Sequence, residues 1–144
     1  MSRPRKSPAP IAAITPHEEA EQRALIVWAA YSCAAHPELC MLYHIPNEGK
    51  RSLATGARLQ AMGLRKGVPD ICLPVPRGKY HGLYIELKRA ARSLSHVSPE
   101  QRAWLDALSS KGYCALVCYG AHEAERAILA YLEGGDPIAT ETAE

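Results

Sequence analysis

The run Leu83-Tyr84-Ile85-Glu86-Leu87-Lys88 constrains this chain more than any other stretch. Side chains alternate across a strand, so Leu83, Ile85 and Leu87 share one face and Tyr84, Glu86 and Lys88 share the other. The first set is wholly apolar and belongs in a core. The second puts an acid and a base side by side on the opposite face. An earlier strand-like run, Asp70 to Val75, is joined to this one by Pro76-Arg77-Gly78-Lys79-Tyr80-His81. A turn centred on Gly78 sets residue 70 opposite residue 86, with Cβ atoms about 5 Å apart, although a bulged loop would shift that register. Two carboxylates at such a distance repel unless something binds between them.

The other elements follow from caps and spacing. Thr15-Pro16-His17-Glu18 reads as a helix start, with Thr at the N-cap, Pro at the first helical position and Glu three residues after the cap. Leu25, Trp28 and Ala29 then share one face, and the helix runs to about Ala35, before Pro37. Cys40 to His44 reads as a short strand, ended by the loop Ile45-Pro46-Asn47-Glu48-Gly49. Ser52 caps a second helix that reaches Met62 and closes at Gly63. Ser98-Pro99-Glu100-Gln101 opens a third helix with a capping box, and Gly112 ends it. Tyr113 to Tyr119 is the most β-like run, and Ala121 to Leu132 is a last amphipathic helix. The predicted order is αβαββαβα, one α/β domain over residues 16–133. A basic tail (1–15) precedes it and an acidic tail (134–144) follows, both expected to be disordered.

Charge is unevenly spread although the formal total is only +2. Between Lys50 and Arg92 ten basic residues face two acids, Asp70 and Glu86, a net +8. That is the footprint of a polyanion partner, set against the plainer reading of a solvated basic face. No apolar run approaches the ~20 residues of a membrane span. The five cysteines (33, 40, 72, 114 and 118) include no CxxC pair, so neither a disulfide framework nor a zinc site is expected. The chain reads as reduced and cytoplasmic.

A divalent cation is the natural occupant between Asp70 and Glu86. Mg²⁺ takes one or two carboxylates and leaves positions for phosphate oxygens. Lys88 adds a positive charge for the attacking water or for the developing negative charge. Together these parts describe metal-assisted hydrolysis of a phosphodiester. No P-loop, GxGxxG or HExxH, and no Ser-His-Asp ordering, argues for another chemistry. Glu86-x-Lys88 alone reads more readily as a surface ion pair on a strand, and Pro69-Asp70 alone as a plain turn into a strand. Their pairing in a region otherwise empty of acids is what carries the signal.

Gly67-Val68-Pro69-Asp70, Tyr84 to Lys88, and Ser98-Pro99-Glu100-Gln101-Arg102-Ala103-Trp104 resemble the VRR-NUC (virus-type replication-repair nuclease) family of the PD-(D/E)xK superfamily. His44-Ile45-Pro46-Asn47 with Lys50-Arg51-Ser52 resembles the loop that follows the first strand in that family. The resemblance covers roughly residues 17–132, and no accessory DNA-binding domain is expected, as in the stand-alone members found in phages. It implies a restriction-endonuclease-like fold, a mixed β-sheet flanked by helices, and dependence on Mg²⁺, with Mn²⁺ as a substitute. It also implies that Asp70 and Glu86 bind metal, that the Leu87 carbonyl assists, and that Lys88 is catalytic.

The family also uses an acid from its first helix. Glu18, Glu19 and Glu21 are available; Glu18 serves as the capping-box acid, Glu19 lies off the Leu25–Trp28 face, and Glu21 is the favoured choice. Gln101 either completes the Ser98 capping box or reaches the active site. Asn47, Lys50, Arg51 and Lys79 are candidate substrate contacts, and His44 and His81 are weaker ones. Trp28, Trp104 and Tyr84 read as packing.

The function expected from all this is a Mg²⁺-dependent endonuclease acting on branched DNA such as four-way (Holliday) junctions in recombination and repair. It is expected to work as a homodimer in a bacterial or phage-infected cell, because resolving a symmetric junction takes two cuts related by a two-fold axis. The competing expectation is a catalytically inactive nucleic-acid-binding module on the same fold.

Overall fold

The computed structural model describes residues 18–46 and 53–137. Its elements run α1 (Glu18–Ser32), β1 (Tyr43–His44), α2 (Leu53–Ala61), β2 (Ile71–Leu73), β3 (Leu83–Lys88), α3 (Pro99–Ser110), β4 (Cys114–Tyr119) and α4 (Ala121–Leu132). This is the αβαββαβα order read from the sequence. One four-stranded sheet has the order β1-β2-β3-β4. β1 pairs antiparallel with β2 and β2 antiparallel with β3, whereas β4 runs parallel to β3 after the α3 crossover. A parallel neighbour needs such a crossover, since a hairpin can only reverse the chain.

The β2–β3 register pairs Ile71 with Ile85, Cys72 with Tyr84 and Leu73 with Leu83. That is the register of a turn centred on Gly78, and continuing it by one residue sets Asp70 opposite Glu86. Pro74 has no N–H to extend the ladder, so β2 stops at Leu73, two residues short of the expected Val75. The expected strand at Cys40 is also shorter. Pro37–Met41 forms a 3₁₀ turn instead, and pairing starts only at Tyr43. The first helix likewise ends at Ser32, whose carbonyl takes the backbone N–H of Ala35 and His36.

Leu83, Ile85 and Leu87 face Cys114, Leu116 and Cys118 across the parallel pair, and all six are buried. Leu25 and Ala29 of α1 and Ala124, Ile128 and Tyr131 of α4 close the same core. The opposite face carries Tyr84, Glu86 and Lys88 and is partly covered by α3, whose Leu105 is buried. Gly134 to Pro137, read from composition as part of the acidic tail, lie against the β2–β3 turn: the Tyr80 hydroxyl donates to Asp136 (3.0 Å) and Lys79 pairs with it (3.4 Å).

Candidate active site

Asp70 is placed by three neighbours. Its carbonyl accepts from the Ile45 N–H (2.7 Å) and lies 2.9 Å from His44 Nδ1. A carbonyl only accepts, so His44 carries its proton at Nδ1 and serves the backbone. The Asp70 side chain accepts from the Leu87 N–H through Oδ2 (2.8 Å). The approach from α2 depends on Gly67, which has φ +90° and whose Cα hydrogen points at Glu100; a Cβ there would lie 2.6 Å from the Glu100 carbonyl carbon. The first turn of α3 is thereby brought against the segment that leads into Asp70.

Glu86 is 2% exposed and Lys88 5%. Gln101 joins them. Its Nε2 donates to Glu86 Oε1 (2.9 Å), while its Oε1 accepts from Lys88 Nζ (3.0 Å) and from the Ser98 N–H (2.9 Å). With Ser98 Oγ accepting from the Gln101 N–H (3.1 Å), the capping box is complete. The two readings of Gln101 are therefore one geometry: the cap fixes the amide and the amide bridges the acid and the base.

Lys88 Nζ also lies 3.6 Å from Glu86 Oε1 and 3.8 Å from Glu18 Oε1. Burial and the neighbouring Asp70 carboxylate push the Glu86 carboxyl up to about 9, against the downward pull of Lys88. Its second oxygen, Oε2, is buried without a hydrogen-bond partner. A buried, unsatisfied carboxylate oxygen beside a second carboxylate is costly for the protein alone. A hard cation would relieve both costs, so the donor set fits one. Among the described residues no three His, Cys, Asp or Glu side chains gather as a metal cage; two carboxylates with a backbone carbonyl are the kind of set Mg²⁺ takes when phosphate and water complete its shell.

The structure corrects the choice of helix acid. Glu21 Oε2 accepts from the Ala121 N–H (2.5 Å), so it caps the first turn of α4 from across the core. Gly120 has φ +89°, a conformation that residues with a Cβ rarely adopt, and a Cβ there would also lie 3.1 Å from Ala90 Cβ. Glu18 is the acid that faces Lys88. The signal was present in the heptad spacing: seven residues before Leu25, Glu18 lies closer to the buried stripe than Glu21 does. Glu19 pairs with Arg23 on the exposed side.

Lys79 is also misplaced by the sequence reading. It sits at the turn end of the hairpin, opposite to the end that carries Asp70 and Glu86, and is engaged with Asp136 and the Tyr80 ring. Asn47, Lys50 and Arg51 lie outside the described residues. The basic window is less bare than its count. Lys66 pairs with Glu100, Arg77 with Glu38 and Arg92 with Glu123, all acids from outside it. Trp104 is half-buried and donates to the Lys66 carbonyl (3.1 Å).

A mixed sheet that carries Asp70, Glu86 and Lys88 on the face under a Gln-bearing helix defines a restriction-endonuclease-like nuclease fold. The VRR-NUC domain model matches residues 9–122. A solved structure described as a VRR_NUC domain protein matches with 29% identity and a TM-score of 0.71, over 84% of this chain and 92% of that one. No curated protein is similar enough to count as a relative. The chain belongs to the VRR-NUC family of nucleases. Among the described residues no helix is long and apolar enough to cross a membrane.

Proposed function

We propose that this protein is a Mg²⁺-dependent endodeoxyribonuclease that cuts branched DNA, four-way junctions of recombination and repair above all, as a homodimer in the cytoplasm of a bacterial or phage-infected cell. The observation that carries the metal-dependent reading is the buried Glu86 carboxyl, held beside Asp70 with an oxygen left unpartnered. Asp70, Glu86 and the Leu87 carbonyl would hold the ion, with Glu18 at the rim. A bound Mg²⁺ supplies Lewis acidity toward a phosphoryl oxygen and lowers the pKa of water.

The chain's own residues do the rest. The Leu87 N–H fixes the Asp70 carboxylate, leaving Oδ1 for a ligand. Gln101 fixes Glu86 Oε1 and orients Lys88. Lys88, buried 3.6 Å from Glu86 Oε1, would place its ammonium where negative charge grows on the phosphate. Branch preference and dimerisation rest on the geometry of two symmetric cuts from a small chain with one site each. The test is a labelled panel of four-way junctions, flaps, splayed arms and duplexes, incubated with Mg²⁺ or with chelator, beside light scattering. Cleavage that needs Mg²⁺ and favours junctions supports the reading; a monomer that cuts flaps as readily as junctions refutes the dimer and branch assignments, and activity in chelator refutes the metal.

A further inference from the structure

The face of the sheet that carries the carboxylates also carries a row of tyrosines. Tyr43, Cys72, Tyr84 and Ala115 align across the four strands. The adjoining row holds Glu86 and Val117, with Asp70 at its continued register. The two rows are two residues apart along β3, about 7 Å, the length of one nucleotide step in an extended strand. Tyr43 is 49% exposed and Tyr84 is half-buried. Tyr113 braces Tyr84 edge-on, with centroids 5.5 Å apart. The chain has no Phe and seven Tyr, and three of the seven gather here, on a face that contributes nothing to the main apolar core.

We propose that Tyr43 and Tyr84 form a stacking platform for an unpaired base of the DNA strand whose phosphate lies at Asp70 and Glu86. The assignment rests on the nuclease reading above and names the substrate feature that reading leaves open: a nucleotide unpaired next to the cut, which in a four-way junction requires a base pair at the branch point to open on binding. Flat rings on a sheet surface are how proteins hold single-stranded bases, because every base offers a π-face. A paired base has both faces covered by its neighbours in the duplex and cannot use such a surface. Tyr113, edge-on against Tyr84, holds that ring in place before DNA arrives, which lowers the entropy cost of stacking.

The experiment measures binding without metal, using the full chain carrying Glu86→Gln, to a labelled dT 12-mer and to a duplex of the same length. Adding Tyr43→Leu, which keeps apolar bulk and removes the π-face, should lower the ratio of single-strand to duplex affinity about tenfold. Tyr43→Trp should hold or raise that ratio. A 2-aminopurine beside the cleaved phosphate should lose fluorescence on binding the parent protein and keep it on binding Tyr43→Leu. An unchanged ratio and unchanged quenching with Tyr43→Leu overturn the platform. Tyr84→Leu, checked for native circular dichroism, repeats the test from the other ring. Cleavage by the unmutated chain is scored separately: if it cuts DNA with Mg²⁺ but the ratio does not move, the platform alone fails, and if it cuts no DNA at all, the nuclease reading fails.

Discussion

Glu86→Gln should stabilise the metal-free protein at alkaline pH while abolishing its response to Mg²⁺. The carboxyl has an ordinary value of 4.5 and is held at about 9 in the fold, chiefly by burial and then by Asp70. A folded-state value above the unfolded one means that the native protein keeps a proton which the unfolded chain releases. Stability is therefore whole below about pH 4.5 and is withdrawn as pH climbs toward about 9. Each pH unit in that window costs about 1.4 kcal/mol, so on the order of 4 kcal/mol is lost between pH 5 and pH 8. At roughly 3 °C per kcal/mol for a chain of this size, the melting temperature falls by on the order of 10 °C.

Gln at position 86 does not titrate. It still accepts from Gln101 through Oε1, and its new N–H₂ can donate toward Asp70. The assay is the melting temperature of both proteins at pH 5, 6, 7 and 8, with chelator or with Mg²⁺. Groups common to both cancel in the difference, leaving the contribution of Glu86. The gap should widen with pH in chelator. In Mg²⁺ it should narrow, because the cation replaces the proton on the native chain alone; at a hundred times its dissociation constant it returns about 2.7 kcal/mol. Parallel melting profiles for the two proteins in chelator would refute the reasoning, because they would show that Glu86 carries no excess proton.

Lys88→Ala should lower the cleavage rate by about 10²–10³ with the fold retained, measured by single-turnover junction cutting. Gln101→Ala should lose both the cap, about 1 kcal/mol of stability, and most of the activity; Gln101→Glu can keep its side of the capping box yet brings a carboxylate against Glu86, so it should keep most of the stability and lose the rate. Glu18→Ala should reduce cleavage or Mg²⁺ affinity, whereas Glu21→Ala should cost about 1–2 kcal/mol in denaturant melts through the uncapped α4 terminus. Binding to DNA should weaken steeply with salt, while Lys79→Ala leaves the slope unchanged, since Lys79 already answers to Asp136 at the far end of the hairpin.

Much of the fold was legible because its signals are local. The αβαββαβα order came from capping residues, glycine stops and alternation, and the family resemblance came from short motifs in sequence order. Even a long-range fact, the register that opposes residue 70 to residue 86, was readable by taking Gly78 as the centre of the turn, although residues 74–82 separate the two strands. What periodicity missed was interrupted by backbone chemistry. Pro74 cuts β2 and Pro37 turns the following residues into 3₁₀ geometry, although both prolines were in plain view.

The site was legible where one strand carries it and illegible where several elements meet. Asp70, Glu86 and Lys88 lie on a single hairpin, so alternation alone set them together. The helix acid and the charge field depend on how α1, α3 and α4 pack, which alternation does not encode. Glu21 looked available because nothing in the sequence says that the N-terminus of α4 ends beside it with an orphan N–H. Once that donor takes Glu21, Glu18, one turn earlier, is left facing Lys88. The +8 window overstates the field in the same way. Its count assumed that neighbours in sequence share a surface, yet Glu38, Glu100, Glu123 and Asp136 arrive from four other segments to pair with it. A net charge per window measures composition; the field a DNA strand meets depends on which of those charges the fold has already answered.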